Sequence, residues 1–267
     1  MTDKAAMTLD RVLSRFGIAS RTASLEVIRA GRLKVNGKVE RDPERWVWPD
    51  RDVVHLDGKR LRPVPRTYLL LYKPKGVITS HGDPGGRKTI YALLGENGRW
   101  VAPVGRLDKD TSGLLLLTND TEFGHAVMSP ESQIAKAYMA KVNALMSNEV
   151  ITQLAGGIEM KRGDRARPRS VRRLEDRGKY TWLEIVLTEG KNREVRRMVE
   201  AVGFKVLKLV RTRIGPLTLE GLEVGKCRPL TQREIAALHS RSMRKASRPG
   251  TPARHPRHPS ASTTVRN

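Results

Sequence analysis

Cysteine is almost missing from this chain of 267 residues: Cys227 stands alone. A single thiol excludes an intramolecular disulfide and any zinc cage built on cysteines, and it suits a reducing compartment, so the cytoplasm is the expected location. Long apolar runs are missing too. Nowhere do about 18 apolar residues stand together, which excludes a membrane-spanning helix on the sequence, and the start Met-Thr-Asp-Lys lacks the apolar centre of a signal peptide. Acid is scarce, with 28 Asp+Glu against 51 Lys+Arg, a formal net charge of +23. Several familiar sites are also lacking: no G-x-x-x-x-G-K-[ST], no G-x-G-x-x-G between strand and helix, no H-E-x-x-H and no G-x-S-x-G. Nucleotide, zinc and serine-esterase chemistry lose support accordingly.

What is present is a basic surface and enough apolar residue, 38% of the chain, to bury a real core. Residues 241–267 hold seven Lys and Arg and no acid, so most of the excess lies in the body of the chain. A body this basic points to a polyanion, nucleic acid first, bound in a salt-dependent manner. The final stretch, 241–267, mixes Pro, Ser and Arg without apolar period and is expected to be a disordered tail; His255 and His258 in it lack the partners of a metal site.

Leu9, Val12, Leu13 and Phe16 recur at helical spacing and Gly17 follows as a stop, while Ser20 stands as N-cap for a second helix carrying Ala23, Val27, Ile28 and Ala30. Leu33-Lys34-Val35 then alternates like a strand, Asn36-Gly37 is a type I′ hairpin signal, and Val53 to Leu56 leads to a second turn at Asp57-Gly58. Arg11, Arg15, Arg21, Arg29, Arg32, Lys34 and Lys38 occupy the polar faces. The segment Leu-Asp-Arg-Val-Leu-Ser-Arg-Phe-Gly-Ile-Ala-Ser-Arg, followed by Ile-Arg-Ala-Gly-Arg-Leu-Lys-Val-Asn-Gly-Lys, resembles the RNA-binding domain first seen in ribosomal protein S-four. That resemblance covers most of residues 8–61, read as one RNA-binding domain, and implies that Arg21, Arg29, Arg32 and Lys34 meet structured RNA, reading shape and phosphate more than base identity.

Residues 62–66, with Pro63 and Pro65, read as a linker, and residues 67–240 as a second domain. There, strands expected at Tyr68–Tyr72, Leu114–Thr118, Ala137–Val142, Thr181–Leu187, Val206–Val210 and Leu217–Leu219 alternate unevenly with helices at Glu122–Met128, Glu149–Leu154, Arg193–Val202 and Gln232–Leu238. Uneven alternation predicts an α+β fold: a small N-terminal helix-pair and β-hairpin domain, then a larger domain with a mainly antiparallel sheet.

A dense polar loop, Val104-Gly105-Arg106-Leu107-Asp108-Lys109-Asp110-Thr111-Ser112-Gly113, abuts the apolar strand Leu114–Leu117. Gly105 and Gly113 permit sharp turns, and Thr111 and Ser112 can supply hydrogen bonds to fix the loop. On residues alone, Asp108 is either a turn or cap residue or a working carboxylate; Asp110 and Asp120 read as turn and N-cap.

The run Gly-Arg-Leu-Asp-x-x-Thr-Ser-Gly-Leu-Leu-Leu-Leu-Thr-Asn-Asp resembles the signature of RNA pseudouridine synthases. Lys73-Pro74-Lys75-Gly76, Lys136-Ala137-Tyr138, Glu189 to Met198 and Leu207 to Leu217 resemble further segments of that family in the same order, and the preceding RNA-binding module is similar to the branch that modifies ribosomal RNA. The resemblance implies isomerisation of uridine to pseudouridine in ribosomal RNA, of the large subunit, by base flipping, with Asp108 essential. It implies Arg196 as counter-charge to a buried Asp108 and Tyr138 stacked on the target base. Arg106 is implied to hold the flipped state, Lys73 to line phosphates, and Arg193 and Arg197 to contact phosphates. Breaking and remaking a glycosidic bond within one nucleoside involves no redox step and no external group, so no cofactor and no metal are expected; ribosomal RNA is the expected partner and the chain a monomer. Glu194 stands where the family commonly has glutamine. The alternatives are a non-catalytic RNA-binding or ribosome-assembly factor, a small-subunit substrate, or an RNA methyltransferase, which would need a glycine-rich cofactor loop not found in the sequence.

Overall fold

The computed structural model describes residues 6–243 apart from 17, 19, 20, 63, 99, 100, 161 and 162. Expectations for Gly17, Ser20, Pro63, the side chain of Arg21 and the tail from residue 244 onward lie outside the described residues.

The chain opens with β1 (Met7–Thr8), α1 (Leu9–Arg15), α2 (Arg21–Arg29), β2 (Leu33–Val35), β3 (Lys38–Glu40), β4 (Trp46–Val47), β5 (Val54–Leu56) and β6 (Lys59–Arg60). Asn36 and Gly37 have φ of 51° and 84°, the left-handed pair that a type I′ turn requires, and they join β2 to β3. The sheet order is β3-β2-β5-β6. The apolar stripe of α1 (Leu9, Val12 and Leu13) meets Ile28 of α2 and Leu33, Val35 and Val54 of the sheet in a core of its own.

Beyond residue 67 follow β7 (Tyr68–Lys73), β8 (Ala102–Val104), β9 (Ser112–Thr118), α3 (Thr121–Met128), β10 (Lys136–Val142), α4 (Asn148–Gly156), β11 (Ile158–Glu159), β12 (Arg165–Ala166) and β13 (Ser170–Arg177). The remainder is β14 (Tyr180–Leu187), α5 (Glu194–Ala201), β15 (Val206–Ile214), β16 (Leu217–Thr218), β17 (Cys227–Pro229) and α6 (Gln232–Met243). Nine of these strands form one sheet along the path β13-β14-β10-β15-β9-β7-β17, with β8 beside β9 and β16 beside β15. All neighbours are antiparallel except β9 and β15, which run parallel at Ser112 with Val210 and Gly113 with Arg211. The expected α+β class and mainly antiparallel sheet are therefore correct.

Both faces of the middle strands are covered. Leu69, Leu71, Leu115 and Leu117 join one core with Leu154 of α4 and Val195, Met198 and Val199 of α5. Leu70, Leu114 and Leu116 join the other with Phe123 and Val127 of α3 and Leu238 of α6. Burial on both faces explains the unbroken leucine run Leu114–Leu117. Asp120 caps α3, accepting the Phe123 N–H at 3.2 Å, as expected. Helix α6 continues to Met243, past the expected boundary at 240.

Candidate active site

Asp108 sits in the loop between β8 and β9, and the loop is fastened from beneath. Lys73, the last residue of β7, is fully buried, and its Nζ donates to the carbonyls of Asp108 at 3.1 Å, Thr111 at 2.9 Å and Pro74 at 3.1 Å. An ammonium has three protons, so all are used. Burial pulls the Lys73 pKa down to about 8, against the opposing pull of Asp108 and Asp110. Lys73 is thus a structural clamp, which corrects the expectation that it lines phosphates: no part of it reaches the surface.

Thr79, also buried, makes two further ties: its hydroxyl donates to the Leu107 carbonyl at 2.8 Å and accepts the Leu107 N–H at 3.3 Å. The Gly76 N–H donates to the Lys109 carbonyl at 2.8 Å. The hydroxyls expected to hold the loop contribute little. Thr111 Oγ1 is buried with no partner among the described residues, and Ser112 Oγ is a long 3.5 Å from the Leu209 carbonyl. Gly113 closes the loop with φ 115°, where a Cβ would lie 2.3 Å from the Arg211 carbonyl oxygen, so only glycine lets β9 approach β15 this closely.

Across from the loop, Arg193 precedes α5 in a left-handed conformation (φ 48°), and its Nη1 lies 3.7 Å from Asp108 Oδ2. The side chains of Arg193 and Asp108 are 44% and 37% exposed, so the carboxylate is partly open rather than buried as expected. Arg196 is buried, but it does not pair directly with Asp108. Its Nη1 donates to the Val206 carbonyl and its Nη2 to the Asp110 carbonyl, each at 3.0 Å, and its Nε is buried without a partner among the described residues. Burial and then Arg193 lower its pKa, while Asp110 and Asp108 raise it. Helical geometry gives the reason: with Arg196 turned inward between β15 and the loop, Arg193 at the helix start is the residue left to face the carboxylate. The expected Arg196–Asp108 pair is replaced by Arg193–Asp108, with Arg196 acting on the carboxylate through space.

Arg197, expected at a phosphate, is ion-paired with Asp164. Tyr138 of β10 is 9% exposed and belongs to the larger core, so little of it remains for the expected stacking on a base. Arg106 is exposed. In the first module Arg29 and Lys34 are exposed, whereas Arg32 is engaged by Asp57, its Nε donating to Oδ1 at 3.0 Å; that bond raises the pKa of Arg32 and lowers that of Asp57.

A family model described as RNA pseudouridylate synthase matches residues 67–201, just over half of the chain. The chain belongs to that family. A second model, the S4 domain, matches residues 7–47. The chain is 39% identical to "Ribosomal large subunit pseudouridine synthase B" of Bacillus subtilis, over 87% of this chain and 95% of that protein. It is 40% identical to an "Uncharacterized RNA pseudouridine synthase" of Aquifex aeolicus, over 86% of this chain and 92% of the relative. A solved structure described as "Crystal structure of pseudouridylate synthase" superposes with a TM-score of 0.63 at 29% identity, over 87% of this chain and 99% of the other.

As a pseudouridine synthase the protein is an isomerase. The arrangement suits such an enzyme: a carboxylate on a tethered backbone, next to a part-exposed guanidinium and open to an incoming nucleoside. Among the described residues no helix is long and apolar enough to cross a membrane, and no group of three or more His, Cys, Asp and Glu could hold a metal ion. Sequence reasoning missed Thr79 and Arg211. Arg211 is 4% exposed, donates from Nε to the Leu114 carbonyl at 2.7 Å and supports the loop's exit. Nothing near Thr79 in sequence signals its role, because its partner Leu107 is 28 residues away.

Proposed function

We propose that this protein converts uridine to pseudouridine in ribosomal RNA, specifically that of the large subunit, acting in the cytoplasm as a monomer with no cofactor or metal. The large-subunit assignment is supported by the Bacillus subtilis relative, whose name carries it and which the chain matches nearly end to end. The observation that carries the mechanism is the clamped, part-open carboxylate of Asp108.

A uridine inside a helix offers no path to its sugar, so the nucleotide has to be flipped out. Arg106, exposed two residues before Asp108, holds the vacated position, and the small exposed part of Tyr138 meets the flipped base. Asp108 then either attacks the ribose C1′ and displaces uracil as its N1 anion, or removes a proton from the sugar while the N1–C1′ bond breaks; the base turns, its C5 bonds to C1′ as the ester is released or the sugar proton is returned, and the C5 proton passes to N1. Arg193 and the deeper Arg196 set positive charge beside the carboxylate. The N-terminal module binds structured RNA through Arg21, Arg29, Arg32 and Lys34, and Arg193 and Arg197 turn from their carboxylate partners to serve phosphates.

The test is incubation of the protein with unmodified ribosomal RNA, followed by chemical mapping of pseudouridine. Asp108→Asn is expected to bind RNA with unchanged salt dependence and to modify none. Modification by that variant would overturn the assignment of Asp108, and RNA binding without modification by the wild-type protein would favour an assembly factor. Modification confined to small-subunit RNA would overturn the large-subunit reading.

A further inference from the structure

The start of α5 holds two carboxyl groups that the reaction outlined above does not use. Glu194, its first residue, is 3% exposed. Its Oε2 accepts the Lys191 N–H at 3.0 Å, while Oε1 is buried with no donor against it among the described residues. The group within bonding reach of Glu194 is another carboxyl, that of Glu189. Two ionised carboxylates in this place would be disfavoured twice, by loss of water and by mutual repulsion. One proton between them removes both difficulties, because it turns a contact of two acceptors into an O–H···O bond.

The surrounding charges decide which partner carries the proton. Lys191 Nζ lies 3.2 Å from Glu189 Oε2 and donates to the Arg165 carbonyl at 2.9 Å, and the Arg167 N–H also serves Glu189, so Glu189 is the ionised member. Lys136 of β10 faces Glu194, but burial and then Arg211 of β15 weaken it as a base, and among the described residues its Nζ reaches only the Ile134 carbonyl at 3.4 Å. Arg211 donates from Nε to the Leu114 carbonyl, and its Nη2 is buried without a partner among the described residues, so it gives Glu194 no hydrogen bond. On α5 itself Arg193 is turned to Asp108 and Arg197 to Asp164.

We propose that Glu189 and Glu194 share a single proton, and that this proton fixes the first turn of α5 and thereby positions Arg193 against Asp108. Residues 191–194 form a closed turn: the Glu194 side chain takes the Lys191 N–H and the Glu194 N–H donates to the Lys191 carbonyl at 3.3 Å. Arg193 lies inside that turn. A left-handed arginine persists only while its surroundings hold it, so loosening the turn releases Arg193. Burial first, and then Glu189, push Glu194 up to about 7, while against the effect of burial the bonds from Glu194 and then Lys191 hold Glu189 below its usual range. The proton is therefore held below about 7 and lost above it. Glu194 is a positioning residue on this account, which rests on Asp108 being the reactive carboxylate.

The test uses the full chain labelled with ¹³C at the glutamate carboxyl carbon, together with single-turnover rates on ribosomal RNA across pH. One carboxyl resonance, missing from Glu194→Gln, is expected to titrate near 7 in the wild type and to move towards the ordinary glutamate range in Glu189→Gln. The wild-type rate should fall above that midpoint and level off about tenfold lower, and Glu194→Gln, which cannot ionise, should lose that fall. A Glu194 midpoint below about 5 would overturn the shared proton whatever the rates do. A midpoint near 7 with identical pH profiles in wild type and Glu194→Gln would overturn the positioning role. If the wild type makes no pseudouridine at all, the functional reading fails separately and the resonances alone decide the proton.

Discussion

The loop that carries Asp108 is held by a fully buried lysine at the end of β7 and by a buried threonine, whereas Arg193 opposite stands 44% exposed at the start of a helix, in a backbone conformation that its neighbours impose. One side of the site is fixed before substrate arrives; the other is free to answer it. An ion pair at 3.7 Å with both members more than a third open contributes under about 1 kcal/mol, so an incoming phosphate can take the arginine without a large penalty. The reacting group cannot be displaced as cheaply, since its backbone carbonyl is itself a ligand of the Lys73 ammonium. Preorganised charge on a rigid support with adaptable cations around it is an economical way to meet a bulky, flexible polyanion.

Substitutions on the fixed side are expected to do the most damage. Gly113→Ala forces a Cβ to within 2.3 Å of the Arg211 carbonyl oxygen, and should destabilise the protein by about 4 kcal/mol in urea melts and remove activity with it. Lys73→Met strips three carbonyls, one of them in a fully buried bond, of their donor, so a loss of about 3 kcal/mol is expected, with a fall in kcat from a loosened Asp108. The same lysine gives a pH signature. Its folded pKa of about 8 lies below the ordinary 10.5, so between those values the unfolded chain binds more protons than the native one, and stability should climb with pH through that interval. Thermal melts of Lys73→Met should lack the climb.

On the adaptable side, Arg193→Ala should lower kcat by about tenfold while leaving the melting midpoint nearly unmoved; an equal loss of stability would contradict the division drawn here. Smallest is Thr79→Val, which removes one hydroxyl from a loop still held by Lys73 and should cost about 1 kcal/mol, measured by denaturant titration. If Thr79→Val proved worse than Lys73→Met, the threonine and not the lysine would be the main fastening.

The polar loop and its glycines were legible because they are contiguous: Gly105, Asp108 and Gly113 fall within nine residues. The clamp was not, since Lys73 meets Thr111 across 38 residues through the pairing of β7 with β9 that puts Lys73 opposite Gly113. The choice between Arg193 and Arg196 depends on which way the first turn of a helix faces, and a left-handed residue at its start is invisible in a run of arginines. Strand β13 was overlooked for a different reason. Ser170–Arg177 carries Arg172, Arg173, Glu175, Asp176 and Arg177, a composition that hides the strand alternation while protecting an edge from pairing with other chains.

The position of β15 has a practical bearing on how the enzyme can be cut. It is the middle strand of the sheet path, between β10 and β9, yet it begins at Val206, after the matched family segment has ended at residue 201. A fragment trimmed to that segment would leave the halves of the sheet with no ladder joining them, and without α6 the leucines Leu114 and Leu116 would lose part of their cover. The shortest piece able to fold has to reach past Leu238, whose side chain lies 3.2 Å from where a Cβ on Gly215 would stand.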